Sequence, residues 1–98
     1  MKIEFEGYTV YLSKIGNHSH RAIVNLHLVG SVGGFSVESD LILIDSNYSK
    51  ALRSLSSKLD VVALTLEYMS NEPACSDVEK LSESVYSYSL QIGDFDNA

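Results

Sequence analysis

The sequence predicts an α+β fold: an antiparallel three-strand meander covered by one main helix, followed by a strand, a short helix and a final strand. Three observations carry that prediction. Apolar and polar residues alternate along most of residues 1–44, which is the period of strands with one wet face. Tyr48, Leu52, Leu55 and Leu59 then recur at three- and four-residue steps, which gives one apolar stripe on a helix. Clusters of Gly, Ser and Asn between these segments supply turn chemistry. The 98 residues, 45 % of them apolar, are expected to form one domain, 1–98. A chain of this length buries roughly 60–65 % of its unfolded surface without staples.

Ile3 and Phe5 alternate with Lys2, Glu4 and Glu6, and beyond Gly7 the apolar parity switches to Tyr8, Val10 and Leu12. One extra residue in a bulge restores the same face, so Lys2 to Ser13 reads as one long strand bent at Gly7. Gly16, Asn17, His18 and Ser19 form a turn. Arg21 to Val29 is then the second strand, with Ala22, Val24, Leu26 and Leu28 on one face and Asn25 and His27 on the other. Gly30, Ser31, Val32, Gly33 and Gly34 give the backbone freedom for the next turn. In the third strand, Phe35 to Ile44, the first half sets Phe35 and Val37 against Ser36, Glu38 and Asp40. Leu41 to Ile44 is apolar on both faces and calls for cover on both sides.

Asp45, Ser46 and Asn47 are all good N-caps, and the main helix is expected from Ser46 to Leu59 with Ser49, Lys50, Arg53, Ser56 and Ser57 outward. Past Leu59 two periods compete. Val62, Leu66 and Met69 continue the helical spacing, while Val62, Leu64, Leu66 and Tyr68 alternate. The β-branched Val61 and Val62 with Thr65, and the exposure of Val61, Leu64 and Tyr68 that a continued helix would bring, favour a strand. Ser70 to Pro73 breaks the chain, and the Ser76/Glu79 spacing of a capping box starts a short helix, about Asp77 to Glu83. Val85 to Ile92 alternates Tyr86, Tyr88, Leu90 and Ile92 with Ser87, Ser89 and Gln91 and reads as the last strand. Gly93 to Ala98 is a polar tail expected to fray.

The formal charge of −6 is concentrated at the back of the chain. Residues 1–59 hold six Lys/Arg against five Asp/Glu, and residues 60–98 hold eight acids against Lys80 alone. Such a field repels nucleic-acid phosphates and anionic lipid and attracts basic surfaces. The expected partner is thus a basic protein, with no nucleic acid and no membrane. Glu4 and Glu6 stand where a secretory signal needs an apolar core, and no apolar run approaches a membrane span. With one cysteine, Cys75, no internal disulfide is implied, and a cytoplasmic protein is expected.

His18, His20 and His27 read as turn and surface histidines, because Cys75 has no Cys-x-x-Cys partner and the spacing matches no zinc site. Gly30, Gly33 and Gly34 spell no phosphate loop. The pairs Glu4/Glu6 and Glu38/Asp40 fall on the wet faces of strands. Cys75 is followed by Asp77 and Glu79, whose charge disfavours a thiolate. No catalytic, cofactor-binding or metal-binding residue is therefore expected, no cofactor is implied, and the chain reads as a non-enzyme.

Six tyrosines and no tryptophan offer flat side chains with a polar tip, a type favoured at binding surfaces and equally suited to a core whose hydroxyls reach the rim. Tyr86 and Tyr88 share a face near Asp94 and Asp96, and Tyr68 adjoins Glu67. With the remaining acids they give the candidate partner-binding set: Glu67, Tyr68, Glu72, Asp77, Glu79, Glu83, Tyr86, Tyr88, Asp94 and Asp96.

In size, in its C-terminal carboxylates and in stretches such as Val32-Gly33-Gly34-Phe35-Ser36-Val37-Glu38, the chain resembles the small acidic immunity proteins of bacterial toxin and immunity pairs, including those that neutralise contact-delivered toxins. That resemblance implies stoichiometric occlusion of a basic toxin's active site, such as a nuclease, with acids standing where substrate phosphates lie. Two other functions compete: a non-inhibitory structural or homo-oligomeric module assembled through Leu41 to Ile44, and a small enzyme with a noncontiguous site.

Overall fold

The computed structural model describes the chain except at residues 19–20, 33–34, 45–46, 71 and 97–98, and its side chains except at 17–22, 32–35, 44–46, 71–72 and 93–98. Four strands, β1 (Lys2–Phe5), β2 (Tyr8–His18), β3 (Arg21–Val32) and β4 (Phe35–Ile44), form one antiparallel sheet in the order β1-β2-β3-β4. Two helices follow, α1 (Tyr48–Tyr68) and α2 (Glu72–Asp96). The α+β class thus stands, with a four-strand meander and a helical hairpin in place of the expected three strands, one main helix, strand, short helix and strand.

The first departure is at Gly7. Phe5 pairs with Tyr8, so Glu6 and Gly7 are a two-residue hairpin loop and Lys2 to Ser13 is not one bent strand. Glu6 joins the glycine in the loop, and Gly7 takes φ +83°, which costs a glycine nothing. The bulge lies further on: the β2–β3 register shifts between Lys14 and Gly16, leaving Ile15 extra. Gly30 belongs to β3 rather than to the following turn. It pairs with Tyr8, and a Cβ there would stand 2.6 Å from Tyr8 Cδ1, so the glycine makes room for the tyrosine ring. The turn expected over Gly16 to Ser19 is shorter than the sequence suggests, because Gly16, Asn17 and His18 extend β2 and pair with Ile23, Ala22 and Arg21, just as Ser31 and Val32 extend β3; Ser19, Gly33, Gly34 and the caps Asp45 and Ser46 lie outside the described residues.

One face of the sheet carries Ile3, Tyr8, Val10, Leu12, Val24, Leu26 and Leu28, all buried under the helices. Leu52, Leu55 and Leu59 of α1 and Val78, Leu81 and Val85 of α2 close the core from above. Burying a Leu or Val of this kind contributes about 1.5–3 kcal/mol. Asn47 caps α1, its side chain accepting from the Lys50 N–H at 2.8 Å. Lys14 on β2 sets its ammonium 5.3 Å from the Tyr48 ring centre, a cation–π contact that ties the helix start to the sheet.

The second departure is larger. Val62 to Tyr68 is helix, not strand; α2 replaces the short Asp77–Glu83 helix; and Val85 to Ile92 is helical rather than a final strand. The reason is a seven-residue repeat of small residues that alternation hid. Ser49, Ser56 and Ala63 on α1 face Ser89, Ser82 and Cys75 on α2. The Ser49 hydroxyl donates to the Ser89 carbonyl at 2.9 Å, Ser56 and Ser82 hydroxyls donate to each other's carbonyls at 3.2 and 3.0 Å, and the Cys75 thiol reaches the Ala63 carbonyl at 3.2 Å. Ser49 and Ser56, expected outward, are buried. Small side chains let the backbones approach; the Ser49, Ser56 and Ser82 hydroxyls are satisfied across the seam, and that of Ser89 donates to the Tyr86 carbonyl of its own helix at 2.6 Å.

Pro73 sits in the first turn of α2, where its missing N–H costs nothing, so the chain break falls before it. The Ser76/Glu79 pair is inside the helix rather than at its start. α1 is closed beyond Tyr68 by Ser70, φ +60°, with the Met69 N–H on the Thr65 carbonyl and the Ser70 N–H on that of Glu67, a helix C-terminus closed by a left-handed residue. The backbone of Asp94 and Asp96 continues α2, where a frayed tail was expected. Among the described residues no helix is long and apolar enough to cross a membrane.

Candidate functional site

The exposed side of the helical hairpin gathers five of the ten sequence-derived candidates, Glu67, Tyr68, Glu79, Glu83 and Tyr86. Helical spacing sets Glu79, Glu83, Tyr86 and Leu90 in one line along α2, all exposed, the last two at 48 % and 54 %. On α1 the stripe Val61, Leu64 and Tyr68 is exposed at 63 %, 65 % and 92 %. Past Leu59, Ala63 is the one buried side chain of α1, so the outer turns of this helix present apolar surface. The exposure that argued for a strand is what the helix delivers.

On α1, Asp60 and Glu67 stand one helical turn either side of Leu64. Glu67 and Glu79, on opposite helices, bring their carboxylates within 4.8 Å of each other and of the Cys75 sulfur. Asp60 accepts from the Ser82 hydroxyl at 2.6 Å, on the turn of α2 between Glu79 and Glu83. Among the described residues the salt bridges are Lys2–Glu4, His27–Glu38 and His27–Asp40; none involves Asp60, Glu67, Asp77, Glu79 or Glu83. Like charges this close raise the free energy of the unbound surface, and a cationic group set among them lowers it.

The other candidates separate from this face. Asp77 turns toward the β1–β2 loop, where with Lys80, Leu81 and Ser84 it borders a groove of about 520 Å³ opposite Phe5, Gly7 and Tyr8. Tyr8 is 5 % exposed and its hydroxyl is buried without a hydrogen-bond partner among the described residues. Burial, then the nearby Asp77 charge, pushes its phenol above the ordinary value. Tyr88 is half-buried and meets Phe5 edge-on at 6.2 Å between ring centres, so it acts in packing. The side chains of Glu72, Asp94 and Asp96 lie outside the described residues, as do those of His18 and His20.

Sequence reasoning missed Asp60, Val61, Leu64 and Leu90 as members of the exposed face. The signal that would have found them is the seven-residue serine repeat, since once Ser49, Ser56, Ser82 and Ser89 face inward the outward stripes follow from helical geometry. In comparison with known proteins the chain matches no protein-family model, no curated protein and no solved structure.

Proposed function

We propose that this chain is a binding protein that docks a basic protein partner on the outer face of its helical hairpin and neutralises it by covering its active site, in the manner of a cytoplasmic immunity protein facing a toxin such as a nuclease. The observation that carries the reading is the cross-helix meeting of Glu67 and Glu79 beside the exposed Val61, Leu64 and Tyr68. An apolar centre with a charged rim is the anatomy of a protein interface. The acids supply steering and selectivity for a cation-rich surface, and the apolar stripe supplies the area that holds it.

The test is recovery of a partner on the immobilised chain, followed by association kinetics with the purified partner. The expected result is a basic protein bound in equal stoichiometry, inhibited on binding, whose association slows about tenfold or more in Glu79→Lys/Glu83→Lys and at raised salt. Binding that ignores both salt and the charge reversals overturns the proposal.

A second reading has its own support at the sheet edge. β4 is an outer strand with Ile42 67 % exposed and Leu41 and Leu43 half-buried, and an apolar free edge favours pairing with another chain. Sedimentation at micromolar concentration decides it: a monomer removes self-assembly through β4.

A further inference from the structure

The open face of the sheet, on the side away from the helices, holds a cluster that the docking proposal does not use. His27 projects from the central strand β3, opposite Asp40 on β4 and Tyr11 on β2. Its Nδ1 lies 2.7 Å from Asp40 Oδ1 and its Nε2 lies 3.4 Å from Glu38 Oε1. The Tyr11 ring, its centre 6.0 Å from that of the imidazole, stands on the remaining side. Ligand atoms of His27, Glu38 and Asp40 all fall within 4.8 Å of one another.

We propose that His27 Nε2 and the Glu38 carboxylate form a binding site for a divalent transition ion of the zinc type, with Asp40 as the group that orients the imidazole. The argument begins with the tautomer. A hydrogen bond from Nδ1–H to Asp40 leaves the Nε2 lone pair directed at Glu38, and a carboxylate behind the non-ligating nitrogen is the usual support of a metal-bound histidine. The distance follows from coordination geometry. Bonds of about 2.0–2.1 Å in a tetrahedron place two ligands about 3.3–3.4 Å apart, and the Nε2 to Oε1 separation is 3.4 Å. That spacing is longer than a good charge-assisted hydrogen bond, about 2.7–2.9 Å, so the Glu38 side suits an intervening ion better than a shared proton.

Charge points the same way. Two carboxylates converge on one imidazole in a protein of net charge −6, and a divalent cation neutralises both, where protonating the ring offsets one. Strand backbone positions the donors: His27 and Asp40 are paired in register, and Glu38 stands two residues along on the same face. The Glu38 and Asp40 side chains are 70 % and 64 % exposed and that of His27 is 25 % exposed, so an ion reaches the site without opening the fold. The remaining coordination positions face outward, where water or one donor from another molecule completes them.

The experiment is calorimetric titration of the full chain with zinc chloride near neutral pH, paired with nitrogen NMR of the His27 ring. One saturable ion per chain is expected, in the micromolar range, with the shift change on Nε2. His27→Phe, which keeps an aromatic ring against Tyr11, abolishes binding. Glu38→Gln weakens it at least tenfold. Asp40→Asn, remote from the ion, weakens it by about tenfold or more, the range for loss of an orienting carboxylate. Glu38 and Asp40 are exposed, so those two variants melt with the parent in the absence of metal, which separates loss of the site from loss of the fold. No saturable binding at millimolar zinc overturns the proposal. So does binding that survives His27→Phe, which would place the ion elsewhere, for instance at the Glu67, Cys75 and Glu79 cluster. Full affinity in Asp40→Asn overturns the orienting role. The site is on the face opposite the hairpin, so these outcomes are independent of partner docking.

Discussion

Replacing Gly30 by alanine tests the packing of the sheet against its own turn. A Cβ at that position would press on the Gly7 carbonyl oxygen and lie 2.6 Å from Tyr8 Cδ1 and 2.9 Å from Tyr8 Cα. Two of these three atoms are backbone, so the conflict is not relieved by a side-chain rotation alone; the β1–β2 turn must lift or the Tyr8 ring must leave its place. Overpacking of this kind costs about 1–3 kcal/mol, against which the stiffer unfolded chain returns about 0.4–1 kcal/mol. A net loss of about 1 kcal/mol follows. With a urea slope of about 1–3 kcal/mol/M for a domain of this size, the midpoint falls by roughly 0.5–1 M at unchanged slope. Gly16→Ala is the control: a Cβ there meets nothing within 4 Å, and its cost comes from φ +146° alone, about 1 kcal/mol or more. A Gly30→Ala midpoint equal to the parent's would refute the stacking of Tyr8 over Gly30.

Four further outcomes are expected. Tyr8→Phe removes a buried hydroxyl with no partner among the described residues and raises stability by about 1 kcal/mol in urea titration. Because the folded state holds the Tyr8 proton more tightly than the unfolded chain, its contribution is intact below about pH 10 and is lost as pH rises past it. The parent therefore loses stability faster than Tyr8→Phe in alkali, and parallel curves would contradict this. In the seam, Ser56→Ala and Ser82→Ala each cost about 1–2 kcal/mol and couple in a double-mutant cycle by about 0.5 kcal/mol or more, since their hydroxyls lie 3.0 Å apart and each is within hydrogen-bond reach of the other's carbonyl. Leu52→Ala, at a site of 0 % exposure, lowers stability by about 2–5 kcal/mol. Leu64→Lys, at an exposed site, changes stability by less than about 0.5 kcal/mol while weakening partner binding, and a large loss of stability would mean that the stripe is packed.

The front half of the chain was legible because each strand is wet on one face. The bounds of β4 and the start of β3 at Arg21 follow from alternation, and the Asn47 cap is one of the three that turn chemistry offered. The back half was not, because serine was taken for a surface residue. Treating Ser87 and Ser89 as equivalent made residues 85–92 alternate; in the helix Ser89 is buried against α1 and Ser87 is exposed, a distinction that only the position on the helix draws. Of the binding set, Glu79 and Glu83 were recognisable as acids on one short helix and Tyr86 only as an aromatic on an expected strand, whereas the approach of Glu67 to Glu79 depends on how the hairpin folds back. Glu38 and Asp40 were visible as a pair on a wet face, as was His27 on its own strand. Bringing them together required the β3–β4 register, which depends on the length of the one turn between Val32 and Phe35.

The spacing of the serine seam carries a consequence for the geometry of the hairpin. A pattern that recurs every seven residues specifies which sides of two helices meet but not how far one has slid along the other. Shifted by one repeat, Ser56 would oppose Ser89 and Ala63 would oppose Ser82, small against small once more. What rules that alignment out is the brevity of the span from Met69 to Asn71 between α1 and α2, together with the leucines already seated on the sheet. The connection is therefore a ruler, and lengthening it would leave the two helices with competing alignments to choose between.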